Sequence, residues 1–128
     1  MTREARHCSL AASGFDVVSY HTGEKPVRGN GNHVASHDGA TYVFASDTNK
    51  RAFEADPDRY VPAFGGYCAF GMSIGKQLIA DPGVWEIVEG RLYLNKDTEI
   101  HVLWQGHRDE NIRKAGVEWR RLGSADTD

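Results

Sequence analysis

The sequence predicts an α+β fold: a small single domain in which antiparallel β-hairpins pack against several α-helices. Two turn dipeptides, Asp38-Gly39 and Glu89-Gly90, each separate short apolar, strand-forming runs, which is the pattern of a hairpin. The last third of the chain instead carries apolar residues at helical spacing. No β-α-β alternation is present, so a parallel doubly wound sheet is excluded. A chain of 128 residues suits one domain with one core.

In chain order, residues 1–13 are polar and are expected to form a flexible end. Asp16 reads as the N-cap of a short helical turn over 16–21. "NHVASHDGATYVFA" predicts a hairpin with strands at 32–37 and 40–45. Ser46 then caps a helix in which Ala52, Phe53 and Ala55 face inward, and Pro57 ends or restarts it. "VWEIVEGRLYLN" predicts the second hairpin, near 85–95, and the two hairpins are expected to join in one antiparallel sheet. Ile100, Leu103 and Trp104 form one helical stripe; Ile112, Ala115, Trp119 and Leu122 form another, with Gly106 between the two helices. Trp85, Trp104 and Trp119 are expected to be largely buried. "GSADTD", 123–128, reads as a second flexible end. No linker and no repeat is visible, so one domain is expected over 14–122.

Composition removes several functions. The net charge is −3 with both signs mixed, so there is no basic stripe for nucleic acid or an anionic membrane. No apolar run approaches the roughly 18 residues that span a bilayer. The start from Met1 lacks the apolar stretch of a signal peptide, which implies a cytoplasmic protein. There Cys8 and Cys68 are expected to be unbridged thiols. CxxC, HExxH and zinc-finger spacings are missing.

The stretch "GGYCAFGMSIGK" holds the chemistry. Cys68 stands beside Gly65 and Gly66, which permit close approach of a ligand, and is flanked by Tyr67 and Phe70. A small buried hydrophobe is the competing role for a free cysteine. Met72 lies four residues on, so on a helix both sulfurs share a face, a soft pair suited to Cu(I); as plain core filler it needs no ligand. Gly71-Met72-Ser73-Ile74-Gly75 matches the nucleophile elbow of hydrolases, but the strand before Ser73 and the large parallel sheet are lacking. Gly75-Lys76 fails as a phosphate loop because Gln77 stands where Ser or Thr is needed. His33, His37, His101 and His107 read as surface residues.

"GFDVVSY" (14–20), "GATYVFASDTNKRAFEADPDRYVPAFGGYCAFG" (39–71) and "DPGVWEIVEGRLYLN" (81–95), in this order, resemble the YHS-domain proteins. The likeness is to longer single-domain members that read G-[FY]-D-x-V-x-Y near the start and G-G-[YH]-C-A after the first helix. It covers residues 14 to about 120, and implies a small α+β domain that binds heavy metals. Short YHS domains carry F-C-x-x-x-C at the hairpin-to-helix junction; here Phe44-Ala45-Ser46-Asp47-Thr48-Asn49 holds neither sulfur. The tripeptide that names the family is replaced by Ala35-Ser36-His37, and Tyr20-His21-Thr22 lies in another segment. Any metal site is therefore expected at Cys68, with copper as the metal and His21 or Met72 as helper ligands. "GGYCAFGM" and "FDVVSYH" are expected as facing walls of a partly enclosed pocket. The leading function is a small non-catalytic binding protein for soft metal. The rivals are a cysteine-dependent enzyme or redox sensor using Cys68, and an interaction or scaffold domain that has lost the metal. The sequence identifies no protein partner.

Overall fold

Two hairpins, each closed by a pair of left-handed residues, organise the chain. The computed structural model describes residues 10–22 and 25–126; Cys8, and with it the pairing of the two cysteines, lies outside the described residues. Strand β1 (Asn30–His37) pairs antiparallel with β2 (Ala40–Phe44). Asp38 (φ 50°) and Gly39 (φ 83°) make the turn whose twist matches its strands. After helices α1 (Asp47–Ala55), α2 (Pro57–Tyr60) and α3 (Ala69–Ser73) come β3 (Asp81–Val88) and β4 (Arg91–Asn95). They too pair antiparallel, around Glu89 (φ 51°) and Gly90 (φ 79°). Helices α4 (Thr98–Gly106) and α5 (Arg108–Asp126) complete the α+β domain.

The hairpins do not join into one sheet, as the sequence suggests, but stay two-stranded. Their apolar faces meet instead. Ala40, Tyr42 and Phe44 of β2 share a buried cluster with Leu92 and Leu94 of β4, Phe53 of α1, and Val17, Val18 and Tyr20. Tyr93, on the opposite face of β4, belongs to a second cluster with Phe64, Met72, Trp104 and Ala115, against which Ile112, Trp119 and Leu122 of α5 pack. Trp104 is fully buried, whereas Trp85 and Trp119 are only half-buried. Leu103 and Ala55, expected inward, are exposed: Ala55 lies two residues from the buried Phe53, on the far side of α1, and in α4 it is Trp104 that faces the core. The expected ends also shift: Ala11 and Ala12 are buried, and α5 runs past Leu122 to Asp126.

The architecture is used twice. β1, β2 and α1 have 8, 5 and 9 residues, and so do β3, β4 and α4. The register slips once in each hairpin at the equivalent place, between Asn30 and Val34 and between Asp81 and Trp85. Ser46 Oγ accepts from Asn49 N (3.1 Å) to cap α1, and Asp97 Oδ1 accepts from Ile100 N (2.8 Å) to cap α4. Before each hairpin stands a tight turn, Ala11–Gly14 or Ala63–Gly66, with two left-handed residues inside it. Tyr42 packs on Phe53 (4.6 Å) as Tyr93 packs on Trp104 (5.4 Å). The halves part company at the end, where α2 has 4 residues and α5 has 19.

Candidate functional site

Cys68 immediately precedes α3 and its sulfur caps that helix, accepting from Gly71 N at 3.4 Å. A second backbone N–H, from Lys96 just past β4, reaches Sγ at 3.2 Å. The thiol can donate to Asn95 Oδ1 at 3.6 Å, and the Cys68 main-chain N–H donates to Leu78 O at 2.9 Å. Cys68 is fully buried, as is Asn95. Asn95 Oδ1 also accepts from Phe70 N at 2.9 Å, while its Nδ2 has no partner.

The equivalent residue in the first half is Asp16. Its main-chain N–H donates to Val27 O at 2.8 Å, just before β1, as that of Cys68 donates just before β3. Oδ1 accepts from Val18 N (2.9 Å) and Ser19 N (3.3 Å), capping the Ser19–Thr22 turn. Oδ2 accepts from Ala45 N (2.9 Å), the first residue past β2, as Sγ accepts from the first residue past β4. It also accepts from Asn49 Nδ2 at 2.8 Å. Asp16 is fully buried. Ala45 and Asn49 are the two positions where the resemblance places junction cysteines, and here both serve a carboxylate.

The other candidate ligands stand in different surroundings. Met72 follows Cys68 by one helical turn, its N–H donating to Cys68 O at 2.9 Å, but its side chain lies in the Trp104 cluster while Cys68 lies in the hairpin cluster. His21 packs edge-on against Tyr60 at 5.1 Å, with Nε2 buried and unpartnered. Burial, and then the charge of Arg59, lower its pKa below the usual imidazole value. Among the described residues no group of three or more His, Cys, Asp or Glu side chains is placed to hold a metal ion. Tyr20, on the expected facing wall, is also buried; its hydroxyl donates to Pro82 O at 2.6 Å, and burial raises its pKa. Where the turn at Ala12 and Ser13 faces Gly66, the space is about 10 Å³, at the lower limit for one water.

Ser73 ends α3 and its hydroxyl donates to Phe70 O, so a helix, not a strand, precedes it. His101 is half-buried and hydrogen-bonded to Glu86 at 2.9 Å, where the sequence suggests a surface residue. Reading the sequence finds Asp16 as a cap but misses its reach to Ala45 and Asn49, and it misses Asn95 altogether. No helix among the described residues is long and apolar enough to cross a membrane. Compared with known families, residues 18–64 match the model of the YHS domain. The match spans the first hairpin, α1 and α2, and stops short of Cys68. No curated protein and no solved structure matches the chain.

Proposed function

We propose, since the chain is a YHS-domain protein, that it is a small non-catalytic binding domain in which Cys68 serves the fold. YHS domains are often associated with metal, copper in particular. The observation that carries the reading is the correspondence of Cys68 with Asp16. Each is a fully buried acceptor that caps the turn after it and ties down the first residue beyond the second strand of its own half. The neighbours of Sγ are two amides and a carboxamide oxygen, none of which is a base able to activate a nucleophile. The junction positions 45 and 49 are engaged by Asp16.

A second reading keeps soft-metal binding at Cys68, with Cu(I) as the ion and His21 or Met72 as helpers. It is favoured by the two N–H groups on Sγ, which show the sulfur acting as an acceptor in this site. It requires movement, because Sγ is buried and neither helper side chain is against it.

Titration of the reduced protein with Cu(I) against a competing chelator separates the two. If Cys68 is structural, Cys68→Ser takes up no less copper than the parent. Its hydroxyl can replace the thiol in all three contacts, so the cost is about 1 kcal/mol, whereas Cys68→Ala orphans two N–H groups and costs about 2–3 kcal/mol. One equivalent of tightly held Cu(I) in the parent, lost in Cys68→Ser, overturns that reading in favour of the metal.

A further inference from the structure

The part of α5 that has no counterpart in the first half carries the second candidate site. Arg113 and Arg120 lie two turns apart on one helical face, with Gly116 between them, and Arg91 reaches the same place from the start of β4. With Ala63, Phe64, Tyr93 and Ile112 they line an open groove of about 290 Å³, near the lower end of small-molecule sites.

The three guanidinium groups are not ion-paired, although Arg91 also borders a neighbouring cleft lined by Asp38 and Asp58. Other cations of α5 have partners: Arg108 with Glu86 (2.6 Å), Lys114 with Glu110 (3.3 Å), and Arg121 with Glu118 (3.0 Å). The side chains of Arg91, Arg113 and Arg120 make no ion pair or hydrogen bond among the described residues, and no carboxylate lines the groove. Glu89 is close enough to act electrostatically on Tyr93, but it is not part of the lining. Gly116 keeps the floor bare: a Cβ there would stand 3.4 Å from the Arg120 guanidinium. A protein with net charge −3 thus concentrates three guanidinium groups over an apolar wall. Guanidinium forks match phosphate oxygens in geometry as well as charge, and Phe64, Tyr93 and Ile112 offer a face for a flat apolar group.

We propose that this groove binds a small organic phosphate, the phosphoryl group held by Arg91, Arg113 and Arg120 and the apolar body laid against Phe64 and Tyr93. The site is independent of the metal question, so Cys68→Ser leaves it unchanged.

Phenyl phosphate, inorganic phosphate and benzyl alcohol are suitable probes in phosphate-free buffer, followed by ¹⁵N NMR of the whole chain. Phenyl phosphate should give saturable shifts at the Nε–H of the three arginines and the amides of Phe64 and Tyr93. It should bind at least about tenfold more tightly than inorganic phosphate, and weaken as NaCl rises. Arg113→Gln/Arg120→Gln should lose at least about tenfold in affinity, with thermal unfolding unchanged because both residues are exposed. Shifts that rise linearly without saturation, or a double variant that binds as the parent does, overturn the site. Inorganic phosphate or benzyl alcohol binding as tightly as phenyl phosphate overturns the ligand class.

Discussion

Replacing Asp16 tests the tie between the halves of the first hairpin unit more directly than any other change. In Asp16→Ala, Ser19 N keeps a partner in the main-chain oxygen of residue 16 (3.0 Å), and Asn49 is half-exposed and can turn to water. Val18 N and Ala45 N lose the acceptor they have at 2.9 Å. An orphaned buried donor costs about 1–3 kcal/mol; Val18 N is buried but Ala45 is exposed and its N–H can be hydrated in part, and relief of carboxylate desolvation returns some of the loss, so a net cost of about 2 kcal/mol is expected. That is a large fraction of the roughly 5–15 kcal/mol available to a domain. With a urea slope of about 1–3 kcal/mol per molar, the midpoint should fall by roughly 0.7–2 M. Asp16→Asn sharpens the test. Both oxygens of Asp16 face N–H donors, so either orientation of an amide points its own NH₂ at a donor. The nearly isosteric variant should therefore lose about as much as the alanine. Urea unfolding followed by fluorescence of the buried Trp104 and by circular dichroism measures both. Asp16→Asn within about 0.5 kcal/mol of the parent would refute the reasoning, since a volume-conserving change away from such a network is nearly neutral.

Acid should weaken the fold in part through His21. Its folded pKa is lowered by burial and Arg59, so the unfolded chain takes up a proton near pH 6.5 that the folded chain resists. The stability it contributes is complete above that value and falls as pH drops through it. His21→Gln should flatten the stability profile between about pH 7 and 5, and an equally steep decline in the variant rejects this. Gly29→Ala should cost more than about 2 kcal/mol, because a Cβ at residue 29 would lie 2.4 Å from the main-chain carbon and oxygen of Val43; a melting temperature within about 2 °C of the parent contradicts it. Tyr20→Phe should cost about 1 kcal/mol through the unpaired Pro82 carbonyl, and a variant as stable as the parent in urea would remove that bond from the account.

Local chemistry is what the sequence makes legible. Asp38-Gly39 and Glu89-Gly90 mark the hairpins because few residues accept left-handed backbone, and Ser46 marks a helix start because its hydroxyl serves an N–H three residues on. The stripe of Ile112, Ala115, Trp119 and Leu122 is equally local, and all four pack as expected. The site depends on partners far along the chain. Cys68 is visible as an unusual residue, but Asn95 and Lys96, which fix its surroundings, come more than two dozen residues later. The doubled plan escapes notice for a related reason. Backbone lengths, turns and caps repeat, while Asp16 and Cys68, Phe44 and Asn95, and Phe53 and Trp104 differ at equivalent places. Periodicity likewise assigns Leu103 to the core, but Trp104 is buried there and Leu103 is exposed.

A frame that occurs twice is matched by the family model once. The half matched by the YHS model carries a short closing helix. The other half ends instead in the 19-residue α5, which with the start of β4 lines a basic trough. Agreement over residues 18–64 therefore leaves the three arginines of the trough outside it. A likeness confined to that stretch speaks for the scaffold and is silent on the groove proposed along α5.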